Sequence, residues 1–207
     1  MRRFSAFLCC FILLFLATPC VNASITGWSC SDDGDGAIVM HPTGWADNGN
    51  HDYSYSMSCA QYWYPGHLLG DFTTDTQEDP TVRIIEDVSN DTTFDWTDYH
   101  ITIGMTQNFS FVTSGLLTPA NWNASVTAVT AGILPNTNNV AGYVGTINYV
   151  MGTGGSPVVI GDDGTFGFKV SFSGTTDFTT EQIPTPEPTT IALLGLGGLA
   201  LIKRRRA

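Results

Sequence analysis

The chain has 207 residues and a formal net charge of −11, with 8 Lys and Arg against 19 Asp and Glu. So acidic a balance repels nucleic acid and anionic lipid, and it excludes the large basic surfaces that bind either. The basic residues are also unevenly placed: Arg2 and Arg3 open the chain, Lys203, Arg204, Arg205 and Arg206 close it, and only Arg83 and Lys169 lie between. The two ends therefore read as topology signals, and the middle reads as a separate, strongly acidic body.

Residues 1–23 have the three parts of a secretion signal. Arg2 and Arg3 form the positive region, Phe4 to Leu16 an apolar run, and Val21-Asn22-Ala23 a small-residue cleavage site. The apolar run falls short of the ~20 residues that span a bilayer. Cleavage after Ala23 is expected, following passage through the secretion translocon.

Residues 24–174 are predicted to form one all-β domain, an antiparallel β-sandwich. Cys30 and Cys59 are the cysteines left after cleavage, and in an oxidising compartment they are expected to form a disulfide. Asp32-Asp33-Gly34-Asp35-Gly36 alternates carboxylates with glycine on a tight turn, which suits Ca2+. The helix–loop–helix glutamate is missing, so an acidic turn is the alternative; no other cofactor is indicated.

Short runs rich in Val, Ile, Thr, Phe and Tyr follow, separated by Gly, Asn, Asp and Pro. Strands are predicted over 37–41, 53–58, 81–88, 100–105, 109–113, 124–131, 140–150, 158–160 and 165–173. In the last, Phe166, Phe168, Val170 and Phe172 alternate with polar or small residues, the period-two pattern of a strand with one face buried. Asp162-Asp163-Gly164 before it signals a hairpin turn.

Tyr62-Trp63-Tyr64 places three rings in succession. On a strand they cannot all face inward, and flat rings beside carboxylates suit sugar binding; core packing is the alternative. His41, His51, His67 and His100 are scattered without metal-ligand spacing. No nucleophile elbow, metalloprotease motif or phosphate loop occurs. A carboxylate pair for glycoside hydrolysis stays open only because acids are so numerous.

Residues 175–183 are Thr-rich and read as a linker. The tail, 184–207, begins with Pro184-Thr185-Pro186-Glu187-Pro188, a stiff stretch in which each proline fixes φ. An apolar helix is expected over 189–202. Its twelve apolar residues, Ile191 to Ile202, reach only ~18 Å as a helix, short of a ~30 Å hydrocarbon core. The basic end, 203–206, should stay cytoplasmic.

Pro186-Glu187-Pro188, a Gly/Leu-rich apolar run and a terminal Arg cluster together resemble the PEP-CTERM sorting signal. The resemblance covers the tail alone. It implies a substrate of an exosortase-type membrane transpeptidase in a Gram-negative bacterium, often in company with extracellular polysaccharide. Residues 90–100 also resemble a segment that recurs in ectodomains carrying such tails. The expected protein is thus exported, held briefly at the membrane, and then placed at the cell surface or in the extracellular matrix without catalytic activity. A carbohydrate-binding module and a secreted hydrolase are the alternatives.

Overall fold

The computed structural model describes residues 24–76 and 79–186. The signal peptide, Glu187, Pro188, the apolar helix and the basic end at Lys203, Arg204, Arg205 and Arg206 lie outside the described residues. Twelve strands and one 3-10 turn, Thr113–Gly115, make up the rest. The strands are β1 Ile25–Asp32, β2 Ile38–Asp47, β3 Asp52–Gln61, β4 Gly66–Thr74, β5 Thr81–Asn90, β6 Trp96–Met105, β7 Phe109–Phe111, β8 Trp122–Val126, β9 Thr130–Ile133, β10 Ala141–Met151, β11 Asp163–Phe172 and β12 Thr176–Pro186.

They form two sheets. One has the order β1-β4-β12-β6-β10-β8, with β9 also on β10; the other has the order β2-β3-β5-β11-β7. The sandwich expected from the alternating runs is present. All pairings are antiparallel except β3 with β5, because the chain crosses to the first sheet as β4 before returning.

Alternation along the strands builds the core. Tyr53, Tyr55, Met57 and Cys59 of β3 face inward, as do Val82, Ile84 and Val88 of β5. Phe166, Phe168, Val170 and Phe172 of β11 are all buried, as their spacing predicts. Ring stacks join the sheets: Tyr99 lies 4.4 Å from Phe166, and Phe72 lies 5.3 Å from Phe172. Offset ring pairs of this kind add stabilisation beyond the area they bury.

Several elements differ from the sequence expectation. The run 124–131 breaks into β8 and β9. Val158 makes one bridge, to Trp96, and 158–160 is not a strand. The turn at Asp162-Asp163-Gly164 closes no hairpin, since β10 and β11 lie in different sheets.

The largest correction concerns residues 175–183. They are not a linker: residues 176–186 form β12, which lies between β4 and β6 in the middle of its sheet. Its inward positions are Thr176, Phe178, Thr180, Gln182 and Pro184, all buried. Phe178 stacks on Phe72 at 5.0 Å. Opposite it in the ladder is Gly70, where a Cβ would clash with the Ser29 carbonyl of β1 and meet the Phe178 ring at 2.7 Å, so glycine makes room for both. Pro184 and Pro186 are tolerated because β4 ends at Gly66, opposite Gln182. Beyond that point β12 pairs with β6 alone, and an edge is where a residue without an N–H can sit in a sheet.

A candidate functional site at the C-terminal exit of the sandwich

The strand directions bring four connections and the exit of β12 to one end of the sandwich. The connections are β1–β2 (33–37), β3–β4 (62–65), β5–β6 (91–95) and β10–β11 (152–162). All four carry residues singled out in the sequence.

The β1–β2 turn is closed by its own carboxylates. Gly34 N donates to Asp32 Oδ1 at 3.1 Å and Met40 N to Asp32 Oδ2 at 3.0 Å. Asp35 N donates to Asp33 Oδ1, and Ala37 N to Asp35 Oδ1. Asp33 Oδ2 faces outward: it accepts from Asn136 Nδ2 at 2.8 Å and lies 3.2 Å from His67 Nδ1. Burial acts to raise the Asp33 pKa, but the Asp35 hydrogen bonds, His67 and Asn136 together hold it below the usual carboxylate range.

Asp33, Asp35 and His67 each present one ligand atom, all within 4.8 Å of one another. Of the trio Asp32, Asp33 and Asp35 expected to hold Ca2+, the last two take part, joined by His67, while both oxygens of Asp32 accept from backbone N–H groups. Calcium takes six to eight oxygens. The described residues gather two carboxylates and an imidazole here, with Glu181 Oε2 at 3.7 Å from His67 Nε2. His67 joins from β4, opposite Glu181 of β12; nothing in the local sequence of the acidic turn pointed to it.

Tyr62, Trp63 and Tyr64 are 42%, 63% and 54% exposed. They sit on the β3–β4 turn, not on a strand, and a cis Tyr64–Pro65 bond ends it. Tyr62 N and Trp63 N both donate to Ala37 O, tying this turn to the acidic one. The Tyr64 ring meets Phe94 edge-on at 5.9 Å. Many of the other aromatics belong to the core: Tyr53, Tyr55, Trp96, Tyr99 and Trp122 are buried.

Beneath these turns lies a buried polar group that the sequence reading missed. Gln61 Nε2 donates to Trp63 O at 3.1 Å and to Gln182 O at 3.2 Å. The Tyr99 hydroxyl donates to Gln61 Oε1 at 2.8 Å and also meets Gln182 Oε1. Gln182 Nε2 donates to Glu86 Oε2 at 2.9 Å, while Glu86 Oε1 has no partner. Burial pushes the Glu86 carboxyl up to about 8, against the lowering effect of Gln182. The period of Val82, Ile84, Glu86 and Val88 was the available signal, since it puts Glu86 on the inward face.

The neighbouring 90–96 turn is organised by two side chains. Asn90 Nδ2 donates to Phe94 O and Val158 O, and Asn90 Oδ1 accepts from Thr92. Trp96 Nε1 donates to Thr92 Oγ1 at 3.0 Å. The segment 90–100 therefore serves the fold.

Cys30 and Cys59 are free thiols, so the expected disulfide is not present. Cys30 lies on β1 and Cys59 on β3, in opposite sheets. The Tyr55 hydroxyl interacts with Cys30 and with Met40 Sδ. Burial, helped by the charge of Glu86, pushes the Cys30 thiol up to about 12 and that of Cys59 higher still. Such thiols carry almost no thiolate at neutral pH and are inert. The native protein should leave Ellman's reagent uncoloured, and denaturant without reductant should release two thiols per chain. No thiol released on unfolding would show that the disulfide exists.

The sandwich and its exit define an all-β domain with a processing tail attached directly to a core strand. Residues 184–207 match the family model described as PEP-CTERM protein-sorting motif. The match is confined to the tail, and it marks the chain as carrying the sorting signal of an exported exosortase substrate. No curated protein and no solved structure matches the chain.

Proposed function

We propose that this protein is a non-catalytic envelope component. Its β-sandwich is delivered across the inner membrane, held there by the tail, and passed by an exosortase-type transpeptidase to the cell surface or to the polysaccharide-rich matrix outside it. The observation that carries this reading is the sorting-motif match at 184–207, which begins inside β12 and runs on through Pro186, Glu187 and Pro188. The apolar run after it is short and contains Gly195, Gly197 and Gly198, each weakening a helix by ~1 kcal/mol relative to Ala. Such a segment suits a temporary hold better than a permanent one.

The test is fractionation of cells that express the precursor with its transpeptidase. Glu187→Ala should leave insertion intact, because the apolar run and charges are unchanged, and should trap the precursor in the inner membrane. Replacing Arg204, Arg205 and Arg206 together by Ala should let the tail slip through, giving unprocessed protein in the periplasm. Processing and release of both variants at wild-type levels would overturn the sorting reading.

A further inference from the structure

We infer that the Tyr62-Trp63-Tyr64 turn is a membrane-interface contact, set against zwitterionic lipid headgroups while the tail holds the domain at the bilayer. The inference rests on the sorting reading above, and it follows from where the folded chain ends and how little lies beyond.

β12 stays in the sheet to Pro186, which pairs with β6 next to Trp96. Only Glu187, Pro188, Thr189 and Thr190 separate that residue from Ile191, the first of the apolar run. From Pro186 to Ile191 is five residue steps, which span at most ~18 Å when fully extended. With the apolar run inserted, the exit of β12 therefore cannot rise more than ~18 Å above the hydrocarbon, and the headgroup region covers ~5–8 Å of that distance.

The aromatic turn stands at that same end and beside that same exit. Gly66, just after the turn, pairs with Gln182 of β12, and Gln61, just before it, donates to the Gln182 carbonyl. Residues 183–186 continue past this level by ~13 Å at the usual strand rise, on the flank that β4 leaves open. Tyr64 touches Phe94, two residues before Trp96, the partner of Pro186.

Trp and Tyr are the side chains that favour the headgroup level, with an apolar ring and a polar edge. The charge of the same end selects the lipid. Asp91 and Asp95 lie on the β5–β6 turn and Asp162 on the β10–β11 connection, so anionic headgroups would be repelled.

The five tryptophans make this measurable, because Trp96 and Trp122 are buried, Trp28 and Trp45 are packed against the core, and Trp63 is the exposed one. The full chain would be reconstituted into phosphatidylcholine vesicles with brominated acyl chains. Vesicle flotation reports insertion of the tail, and bromine quenching reports ring depth. Quenching should exceed the baseline set by Trp63→Ala, should fall to that baseline when ten Gly/Ser residues are inserted between Pro188 and Thr189, and should weaken as phosphatidylglycerol is added. Flotation should be the same throughout. Flotation with quenching no greater than in Trp63→Ala would overturn the contact and leave the sorting reading standing. Failure to float would overturn both. A Trp63 emission change with cellohexaose in solution, and none with bromolipid, would assign the turn to sugar and overturn the contact.

Discussion

Truncation after Gly174 is expected to abolish the fold, whereas truncation after Pro186 should leave it intact. The first removes β12 and splits its sheet into β1–β4 on one side and β6–β10–β8 on the other. It takes Phe178 out of the core and strips Glu86, Gln61 and Tyr99 of their Gln182 partner. Loss of one buried Phe side chain costs about 3–5 kcal/mol, and a domain of this size has only about 5–15 kcal/mol in total. Leaving a buried carboxyl without its donor adds to that loss. Near-ultraviolet circular dichroism and thermal melts would separate the outcomes. Chain 24–174 should give no cooperative transition, and chain 24–186 should melt as one unit. A cooperative melt for 24–174 would return residues 175–183 to the role of linker.

Glu86 should make the domain less stable as pH rises. Burial holds its carboxyl near pH 8 in the folded state, against 4.5 for the free side chain. Between those values the folded chain keeps a proton that the unfolded chain releases, so the unfolded state binds fewer protons and stability declines with pH. The contribution is whole below about pH 4.5 and is lost as pH climbs through about 8. At 1.36 kcal/mol for each unit between the two states, the full swing is on the order of 3–5 kcal/mol. The groups around it stay neutral over this range: Gln61 and Gln182 do not titrate, burial pushes Tyr99 and Tyr149 upward, and Cys30 and Cys59 are also raised. Glu86→Gln keeps the shape and removes the proton. Urea unfolding midpoints from pH 5 to 8 should fall in the wild type and run flatter in the variant. Parallel profiles would mean that Glu86 is ionised in the folded protein, with charge compensation the structure does not reveal.

The parts of the fold that were legible are those where burial is apolar and strictly alternating. Phe166, Phe168, Val170 and Phe172 announce β11, and Ile101, Ile103 and Met105 announce β6. β12 was hidden because Thr180 and Gln182 occupy inward positions that strands usually give to Val or Ile, and because Pro184 and Pro186 read as a break. Their tolerance depends on β4 stopping at Gly66, a fact of tertiary pairing. β1 was hidden by its small and polar residues, Gly27, Ser29 and Ser31, around Trp28 and Cys30. β4 was hidden by Gly70, whose place is explained by the Ser29 carbonyl of β1 and the Phe178 ring of β12 that close on it from the two neighbouring strands.

The site divides in the same way. The exposure of Tyr62, Trp63 and Tyr64 follows from three rings in a row, which no single buried face can accept. The carboxylates of the acidic turn were visible, but their roles were not: Asp32 bonds backbone groups, while Asp33 meets His67 across 34 residues of sequence. A disulfide was reasonable from cysteine count and compartment, yet the structure holds two free thiols, and count alone carries no information on whether two sulfurs meet in bonding geometry. The sorting motif at 184–207 was legible because its signal is local, although its first three residues also belong to β12.

The folded domain is expected to be exported and then freed from its tail at the motif that begins in the last residues of β12. Intact mass of the protein released by cells carrying the transpeptidase tests this most directly. The released chain should begin at Ser24, and it should lack the apolar run and Lys203 to Arg206 while keeping β12 through Thr185. Released protein whose mass includes Arg204, Arg205 and Arg206, or still begins at Met1, would contradict it.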